Sequence, residues 1–358
     1  MNSLIALLGR ADSPTDGLED YCTFLAQALE GCDIQMSLVR VRWMEYGWFG
    51  GVRELWCRSS KWRGKWILLQ YTALAWSRRG FPFGAILALF VLRLRGVRCA
   101  VVFHEPFGYG GVRWIDRIRT HFQNWIVRTL YRQAQKSIFA DPLRNIAWLP
   151  TDQTKAFYVP IGANIPEPLS RGMSNQNGQK TVAIFCLSDS PHRNREINDI
   201  SQATNLATAN GVSLKLIFLG RGTPEATADI ERAFQGSSIQ VLNLGLCTSE
   251  QIARVLSESD AMLCVRGQFF PRRGSALAGI ACGLPIIAYA GAAEGALAEA
   301  GIELVPYGDK TALGNALVHI LTDRNRWREL HEKNLDVYRK HLAWRRIAAE
   351  VVRVLDYK

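Results

Sequence analysis

Short apolar runs alternate along the chain with longer stretches in which apolar positions recur at helical spacing. Apolar runs between turn-forming residues predict buried strands, and their alternation with helices predicts parallel βαβ units. The predicted strands occupy 3–8, 35–41, 100–103, 182–187, 214–219, 262–265 and 285–289. Because a chain of 358 residues exceeds what one hydrophobic core organises, we expect two α/β domains. The stretch 162–178, rich in turn-forming residues, is the predicted linker.

One segment, 264–288, predicts a strand, a glycine-containing loop, a helix, a glycine stop and a second strand. The first N–H groups of such a helix have no intrahelical partner and lie at the positive end of its macrodipole. Ser275 is the predicted N-cap. The residues at this helix start are Arg272, Arg273, Gly274 and Ser275. The pattern indicates an anion site that would fit a diphosphate, and the alternative is an ordinary turn with two solvated arginines.

Six segments of the chain carry a resemblance to a known family. In chain order they are Gly17-Leu18-Glu19-Asp20, Leu69-Gln70-Tyr71 with Arg79-Gly80, Val101-Val102-Phe103-His104-Glu105, Val159-Pro160-Ile161-Gly162-Ala163-Asn164, Leu216-Ile217-Phe218-Leu219-Gly220, and Arg272-Arg273-Gly274-Ser275 before Gly283-Leu284-Pro285. Together they resemble glycosyltransferase family 4, in particular members with an Arg-Arg-Gly-Ser donor-site motif, over nearly the whole chain. The segment at 69–71 resembles one that precedes the central strand of the first domain.

The resemblance implies the GT-B fold, in which two facing Rossmann-like domains each have a parallel sheet with helices on both faces. It implies an acceptor-side domain at 1–165 and a nucleotide-sugar-binding domain at 170–344. A carboxyl-terminal helix at about 345–358 would pack back on the first domain.

His104 is the predicted catalytic residue. It closes an apolar strand and precedes Glu105, Pro106 and a glycine-rich loop, and functional groups of open parallel sheets collect at such strand ends. From the residues alone, a satisfied structural histidine stays the alternative. The resemblance implies that His104 contacts the donor sugar, with Glu105 beside it as a second catalytic candidate.

Arg193 and Arg195 are predicted to bind the donor diphosphate. They follow the strand at 182–187, where the resemblance implies an arginine and a lysine that neutralise the diphosphate, and arginine can do so with two hydrogen bonds. The alternative is a polar loop that caps the next helix. Lys155 and Arg221 are further possible phosphate contacts.

The donor site departs from the family at two positions. The family carries two glutamates eight positions apart, and the corresponding residues here are Phe270 and Ala278. Glu294 is the nearest carboxylate that could approach the nucleoside, or else a solvated loop residue, and Gly17 of the first glycine loop completes the predicted donor site. The missing carboxylates leave a catalytically silent relative, which binds a nucleotide or a partner, as the alternative function.

Positive charge is concentrated in the first half of the chain. Residues 1–165 hold 21 Lys/Arg against 12 Asp/Glu, so 9 of the net charge of +11 belong to them. The window 53–98 carries ten Lys/Arg and one acid, interleaved with Trp56, Trp62, Trp66 and Trp76. Basic residues with interfacial tryptophan are typical of a surface that lies on anionic lipid head groups, so the window predicts membrane contact.

A second basic stretch, 113–136, repeats this composition at helical spacing. Its apolar residues that can share one helix face are Trp114, Ile118, Phe122, Trp125, Ile126 and Leu130. We interpret it as a core-packed helix with solvated arginines in preference to a second membrane surface. Nucleic-acid binding is the competing use of the charge, but the basic residues come with large apolar side chains and without a recognised nucleic-acid motif, so no nucleic-acid partner is expected.

Neither a membrane span nor a zinc site is predicted. The best apolar run, 85–92, is far shorter than the roughly 20 residues of a spanning helix, and the amino terminus lacks the basic region and cleavage site of a signal peptide. We expect a cytoplasmic protein, peripheral on the inner membrane face. The eight cysteines form no CxxC pair and are interpreted as reduced core residues.

The sequence therefore predicts a retaining glycosyltransferase that uses a nucleotide-diphosphate sugar and an acceptor that is lipid-linked or a glycan. It predicts no cofactor and no metal, because no Asp-x-Asp pair lies in a plausible site. Arginines and the helix terminus would stabilise the leaving diphosphate. The resemblance suggests front-face attack by the acceptor hydroxyl.

Overall fold

The structure, a computed structural model, describes residues 2–13, 15–111, 113–167, 178–291 and 293–357. The chain divides into two compact units. Unit 1 comprises Met1–Gly162 and Trp344–Lys358, and unit 2 comprises Ala163–Ala343. The predicted linker lies mostly outside the described residues, at 168–177.

Strands and helices alternate along both units. The strands are β1 (Asn2–Leu8), β2 (Ile34–Arg40), β3 (Trp66–Tyr71), β4 (Arg98–Phe103), β5 (Lys136–Phe139), β6 (Ala156–Tyr158), β7 (Lys180–Phe185), β8 (Leu214–Leu219), β9 (Gln240–Gly245), β10 (Ala261–Cys264), β11 (Ile286–Tyr289) and β12 (Ile302–Val305). The α-helices are α1 (Gly17–Glu30), α2 (Trp43–Ser59), α3 (Phe83–Leu94), α4 (Trp114–Gln133), α5 (His192–Ala209), α6 (Thr227–Phe234), α7 (Ser249–Ser257), α8 (Gly274–Ala281), α9 (Lys310–Thr322), α10 (Arg324–Val337) and α11 (Trp344–Val354).

Within the described residues, unit 1 is built on a six-stranded parallel sheet in the order β2-β1-β3-β4-β5-β6. Leu7, Leu69 and Val101 point into a core with α2, α3 and α4. Leu68 and Val102, on the other side of the sheet, pack with α1 and α11. Because both sides of the strands are buried, they appear in the sequence as continuous apolar runs.

The described part of unit 2 has a second six-stranded parallel sheet, in the order β12-β11-β10-β7-β8-β9. Its core joins β7, β8, β10 and β11 to helices α5 and α9. The prediction of two Rossmann-like domains with parallel sheets is confirmed. All seven predicted strands are present, each within two residues of its predicted bounds.

Five strands were not predicted: β3, β5, β6, β9 and β12. β3 is a fully buried strand that contains the segment 69–71 and precedes β4 along the chain. β5, β6 and β12 have only three or four residues, and β9, at the sheet edge, alternates between exposed and half-buried positions. Short and edge strands lack the apolar run on which the prediction depended.

Strand order reverses beside the first strand of each sheet. β1 lies between β2 and β3, and β7 lies between β8 and β10. The chain leaves the carboxyl ends of such neighbours in opposite directions, which opens a crevice at that edge. Each unit therefore has one crevice position where ligands of open parallel sheets bind.

The tryptophans of the window 53–98 do not form the predicted surface. Trp62, Trp66 and Trp76 are exposed by only 8%, 2% and 0%, while Trp56 is exposed by 41%. The first three belong to the core around β3, because that strand passes through the middle of the window. The prediction of interfacial tryptophans is thus wrong for three of the four.

Helix α4 also differs from its prediction. Ile126 and Leu130 are buried in the core of unit 1, as expected. Trp114, Ile118, Phe122 and Trp125, however, are exposed. The prediction of one core-packed face is therefore wrong for these four residues.

No helix in the described ranges is long and apolar enough to cross a membrane. All eight cysteines are free. The prediction of core cysteines is confirmed for Cys22, Cys99, Cys264 and Cys282, whereas Cys57 is exposed.

Candidate functional site

The start of α8 lies at the crevice of unit 2, immediately after the loop 265–273. Its N-cap residue is Arg273, whose side chain has no acceptor with which to cap backbone N–H groups. The prediction of Ser275 as the N-cap is therefore wrong: it is the second helical residue, with a buried side chain. Apart from its two chain neighbours and the backbone of α8 itself, no described residue has an atom within 4 Å of where a Cβ on Gly274 would stand. The uncapped helix start thus has open space in front of it.

Arg273 is held over an aromatic ring. Its Nη2 donates to the carbonyl of Gln268 at 2.8 Å, and its Cζ lies 4.5 Å from the ring centroid of Phe270. The Cζ of Arg272 lies 5.7 Å from the same centroid. Phe270, which stands where the family has a glutamate, therefore positions cations by contact with its ring.

Two more arginines approach the same edge of the sheet. Burial raises the pKa of the Cys264 thiol at the end of β10, and the charges of Arg273 and Arg266 act against that rise. Burial also raises the pKa of Cys186, just after β7, against the charges of Arg266 and Arg221. Arg266 therefore lies close to the ends of both strands. The sequence analysis did not single it out, although it follows an apolar strand almost as directly as His104 does.

Arg195 links α5 to the end of β10. Its Nη2 donates to the carbonyl of Val265 at 3.3 Å, and a hydrogen bond joins its guanidinium to the hydroxyl of Tyr307. Its Nη2 lies 3.6 Å from Glu196 Oε1 and its Nε lies 3.8 Å from Asp199 Oδ2. This arginine is therefore oriented by two carboxylates before any ligand arrives.

Asp199 is the centre of this ion-pair network. It is 1% exposed, accepts a hydrogen bond from the Tyr289 hydroxyl at 2.7 Å, and lies 3.7 Å from Lys310 Nζ. Burial raises the pKa of Tyr289, and its hydrogen bond to the carboxylate adds to the rise. Glu196, fully buried, accepts from the backbone N–H of Ser188 at 2.8 Å. One feature of the sequence could have indicated that these two acids are buried: both lie next to apolar residues on the buried side of α5.

The remaining predicted donor residues lie in different surroundings. Arg193 Nε is 3.5 Å from Asp229 Oδ2 on α6, so its charge is directed to that helix. Glu294 follows β11 and precedes a short 3-10 turn. The helix α1 begins at Gly17 and is capped by Asp16, so Gly17 is a helical residue and not part of a glycine loop.

Gly17 and Lys155 belong to unit 1, unlike the arginines described above. Lys155 Nζ donates to the carbonyls of Arg132 at 3.0 Å and Ala134 at 3.2 Å. It also lies 4.7 Å from the ring centroid of Tyr131. The ammonium group of Lys155 is thus held within unit 1 by two backbone carbonyls and an aromatic ring.

His104 stands at the carboxyl end of β4, where it was predicted. The side chain is buried, with Nε2 2.8 Å from Gln70 Oε1 and its ring at 4.8 Å, edge to face, from Tyr21. The neighbouring Glu105 accepts a hydrogen bond from the hydroxyl of Tyr109. An amide and an aromatic ring thus fix the imidazole at the end of a central strand, and Gln70 is a partner that the sequence analysis did not assign.

No protein-family model and no curated protein matches this sequence. Solved structures do match. HepE of Anabaena, in complex with UDP and glucose, is 12% identical with a TM-score of 0.69, over 99% of this chain and 100% of HepE. A glycosyltransferase of Rickettsia africae is 11% identical with a TM-score of 0.69, over 100% of this chain and 99% of that one.

The fold is of the GT-B type. The UDP-GlcNAc 2-epimerase of Methanocaldococcus jannaschii, in complex with UDP-GlcNAc and UDP, is also similar in structure to this chain. The two are 10% identical with a TM-score of 0.53, over 99% of each chain. Because transferases and an epimerase both resemble this chain, the likeness establishes the GT-B fold and leaves the reaction to be argued from the site.

Proposed function

We propose that the protein is a retaining glycosyltransferase that takes a sugar from a nucleotide diphosphate and passes it to a lipid-linked or glycan acceptor. The observation that carries the proposal is the group of cations at the crevice of unit 2. Arg195, Arg266 and Arg273 come from the connections after two neighbouring strands, and Arg273 is the N-cap residue of an uncapped helix start. A diphosphate is a compact dianion that such donors bind well.

In this proposal the cations do the work that a metal ion does in other transferases. When the sugar–phosphate bond breaks, negative charge grows on the leaving diphosphate, and donors already aimed at it stabilise the transition state. Arg195 is held in place by its carboxylate partners and Arg273 by Phe270. Preorganised donors need no reorientation during the reaction, so we propose transfer without a metal or another cofactor.

Retention with front-face attack is part of the proposal. It follows from the family resemblance, which suggests attack by the acceptor hydroxyl on the front face of the donor sugar. His104 and Glu105 stay the predicted catalytic residues on unit 1, and Glu294 a predicted nucleoside contact on unit 2.

We further propose that the protein works in the cytoplasm on the inner membrane face. The exposed basic residues of the window 53–98 support this proposal, because their charge suits anionic head groups. They include Arg58, Lys61, Arg63 and Lys65. The acceptor would then be presented at that surface.

A catalytically silent relative is the second candidate. The missing carboxylates favour it, and so do the ion pairs of Arg193 and Arg195, which already compensate part of the positive charge. Such a protein would bind a nucleotide diphosphate without turning over its sugar.

The two candidates differ in turnover. Thermal unfolding is measured with UDP, GDP and their sugars, since a ligand at 100 times its Kd adds about 2.7 kcal/mol of stability. Nucleotide release from each stabilising sugar nucleotide is then measured with and without lipid-linked glycans, and the anomeric configuration of the product is determined by NMR.

We expect nucleotide release that depends on the acceptor, with a retained configuration. Stabilisation without release would support the silent relative. Release without an acceptor, together with an altered free sugar, would contradict transfer. No stabilisation by any nucleotide would contradict both candidates.

A further inference from the structure

Unit 1 has a cleft of about 550 Å3 between α2, α3 and the loop that follows β3. Its walls are mostly aromatic and include Trp43, Trp48, Trp76, Phe81 and Phe83. Trp43 stacks on Trp48 with ring centroids 5.0 Å apart, and meets Trp76 edge to face at 4.8 Å. A cleft with such walls suits a long apolar chain.

One wall of this cleft depends on a glycine. Helix α2 is interrupted at Gly47, where φ is +66°. Backbone in this region favours glycine, because other residues carry a Cβ that clashes there. After the interruption Trp48 comes to lie over Trp43, five residues earlier, with its ring partly exposed. The cleft is therefore encoded locally and is not a packing defect.

Three arginines line the aromatic cleft, Arg10, Arg78 and Arg79. Arg10 Nε donates to the carbonyl of Leu74 at 2.7 Å. In the part of the chain that the structure describes, none of the three forms an ion pair, whereas nearby Arg42 is paired with Glu54 at 2.5 Å. Positive charge beside the aromatic walls is thus left uncompensated, which favours a ligand that joins an anion to an apolar chain.

A smaller cleft of about 170 Å3 adjoins the first and shares Arg78 and Arg79 with it. Its other lining residues include the polar Tyr109, Asp116, Arg119 and Gln123, beside Leu74 and two glycines. The two arginines therefore stand between an aromatic compartment and a polar one. The order of the two compartments and the arginines matches a molecule in which a charged group joins an apolar chain to a polar head group.

The aromatic cleft is connected to His104 through a single residue. The indole N–H of Trp76 donates to the carbonyl of Gln70 at 2.7 Å, and the side-chain oxygen of Gln70 lies 2.8 Å from His104 Nε2. On the polar side, Tyr109 donates to Glu105. One lining residue of each compartment, Trp76 or Tyr109, is thus connected by hydrogen bonds to a residue predicted to be catalytic.

Exposed apolar side chains continue from the aromatic cleft along α3 and occur on α4. Phe83, at the cleft, lies 5.5 Å from Phe122 of α4, measured between ring centroids. We call the exposed residues around them the α3–α4 apolar stripe: Phe83, Leu87, Phe90 and Leu94 on α3, and Trp114, Ile118, Phe122 and Trp125 on α4. Apolar side chains so concentrated on a surface mark a contact with a membrane or another partner, and the neighbouring unpaired arginines favour an anionic lipid surface.

We propose that unit 1 draws a lipid phosphate from a bilayer into this cleft. The hydrocarbon chain lies along the aromatic rings, the phosphate binds Arg78 and Arg79, and the head group occupies the smaller cleft. The α3–α4 apolar stripe rests on the bilayer from which the lipid comes. The proposal depends on the proposed transferase function, for which it specifies the acceptor class.

The test measures binding of geranylgeranyl phosphate, below the concentration at which it forms micelles, to the full-length protein without nucleotide. Tryptophan fluorescence and calorimetry are suitable readouts. Replacing Arg78→Gln together with Arg79→Gln should weaken binding at least tenfold, since each guanidinium forms a charged hydrogen bond with phosphate. Arg324→Gln with Arg328→Gln, two exposed arginines on α10 of unit 2, is the matched control and should bind like the parent.

Two further ligands separate the parts of the lipid. Geranylgeraniol should bind more weakly than the phosphate and equally to parent and Arg78/Arg79 variant, and inorganic phosphate should not bind below millimolar concentration. Equal affinity of parent and variant for geranylgeranyl phosphate would overturn the proposal. Tight binding of inorganic phosphate would also overturn it, because the site would then recognise a free anion.

A separate experiment tests whether the protein takes the lipid from a bilayer. Phe90→Ser with Leu94→Ser should reduce capture of the protein by vesicles that contain geranylgeranyl phosphate, without changing its affinity for the monomeric lipid. Unchanged vesicle capture would overturn the bilayer source. Because nucleotide is absent throughout, failure here is distinguishable from failure of the proposed function, which would appear as loss of nucleotide binding or of turnover with lipid binding intact.

Discussion

The two units share a topology and differ in the chemistry of their sheet edges. Both sheets reverse strand order beside their first strand. In unit 1 the edge has a cleft with aromatic walls, whose arginines Arg10, Arg78 and Arg79 form no ion pair with any described residue. In unit 2 the arginines at the edge include Arg195, which is tied to the buried carboxylates of Glu196 and Asp199. One backbone plan therefore supports two very different binding environments.

This difference teaches how each edge selects a ligand. Buried carboxylates orient the cations of unit 2 and offset part of their charge, so a ligand must supply concentrated negative charge and precise geometry to compete. Arg78 and Arg79 of unit 1 form no ion pair in the described part of the chain, so both can bind a single anionic group, and the aromatic surface beside them adds apolar contact. We therefore expect a diphosphate to prefer unit 2 and an anionic lipid to prefer unit 1.

The largest expected effect concerns the charge of unit 1. Replacing Arg58, Lys61, Arg63 and Lys65 with Gln should remove at most about 4 kcal/mol of attraction to anionic vesicles, at about 1 kcal/mol per basic residue. Co-sedimentation over a salt series measures this, and UDP affinity should not change. The matched control is the Gln variant of four exposed cations on or next to α10 of unit 2, namely Arg324, Arg328, Lys333 and Arg339. Equal sedimentation of parent and unit 1 variant would show that these residues do not dock the protein.

The second effect concerns the cations of unit 2. Replacing Arg272 and Arg273 together with Ala should weaken UDP or GDP binding by at least about 100-fold, since each of the two charged hydrogen bonds contributes about 1.5–3 kcal/mol. Uridine binding should change little, because the proposed contacts are to phosphate. Calorimetry with the diphosphates and the nucleoside measures the difference, and Arg328→Ala is the control. Undiminished affinity for both diphosphates would place the anion site elsewhere.

The third prediction tests the buried carboxylate that distinguishes unit 2. Asp199→Asn leaves Arg195 and Lys310 without their shared countercharge. Loss of one partner of a fully buried pair costs about 3–5 kcal/mol, and we expect about 2 kcal/mol because both cations reach solvent. Urea unfolding measures the stability, and calorimetry should show weaker UDP binding. Unchanged values of both would mean that Asp199 does not hold the site in place.

The fourth prediction concerns His104. Changing His104→Ala should leave UDP affinity in unit 2 unchanged and lower the transfer rate about tenfold, the effect of one lost hydrogen bond of about 1.4 kcal/mol. His104→Gln, which can keep a hydrogen bond to Gln70, controls for the structural contact. Circular dichroism accompanies the rate measurement. Loss of folding in the Ala variant with normal transfer in the Gln variant would assign His104 a structural role.

The smallest effect is a pH dependence at the N-cap of α1. Burial alone would raise the pKa of Asp16, but hydrogen bonds from Arg40 and from backbone N–H groups outweigh it and lower the pKa. A carboxyl whose pKa is lowered by folding stabilises the protein above its unfolded pKa of about 3.9, and this contribution is lost as pH falls through the folded pKa. Asp16→Asn keeps a capping oxygen and removes the titration. Urea midpoints between pH 6 and 3 should therefore fall less in this variant than in the parent, and equal slopes would contradict the assignment.

Local patterns in the sequence predicted a large share of the fold. The apolar runs identified the central strands of both sheets, and the glycine and arginine pattern at 272–275 identified the start of α8. His104 was placed correctly at the end of β4 because a strand end is a local feature. These predictions depended only on residues close together in the chain.

The partners of these residues could not be predicted in the same way. The sequence did not show that Gln70 is hydrogen-bonded to His104, or that Arg273 lies over the ring of Phe270, since neither pair has a recognisable spacing in the sequence. The same holds for Ser275, which has the residue type of an N-cap but stands inside the helix because the helix begins one residue earlier.

The sequence by itself determined that the chain forms parallel α/β units, because apolar periodicity and turn residues act over short distances. Only the tertiary structure decided which aromatic residues are buried. Trp66 and Trp76 were drawn into the core by β3, while Trp114 and Trp125 stayed exposed on α4. It also decided which arginines have carboxylate partners. Burial and ion pairing depend on elements that are distant in sequence and adjacent in the fold, so no local pattern specifies them.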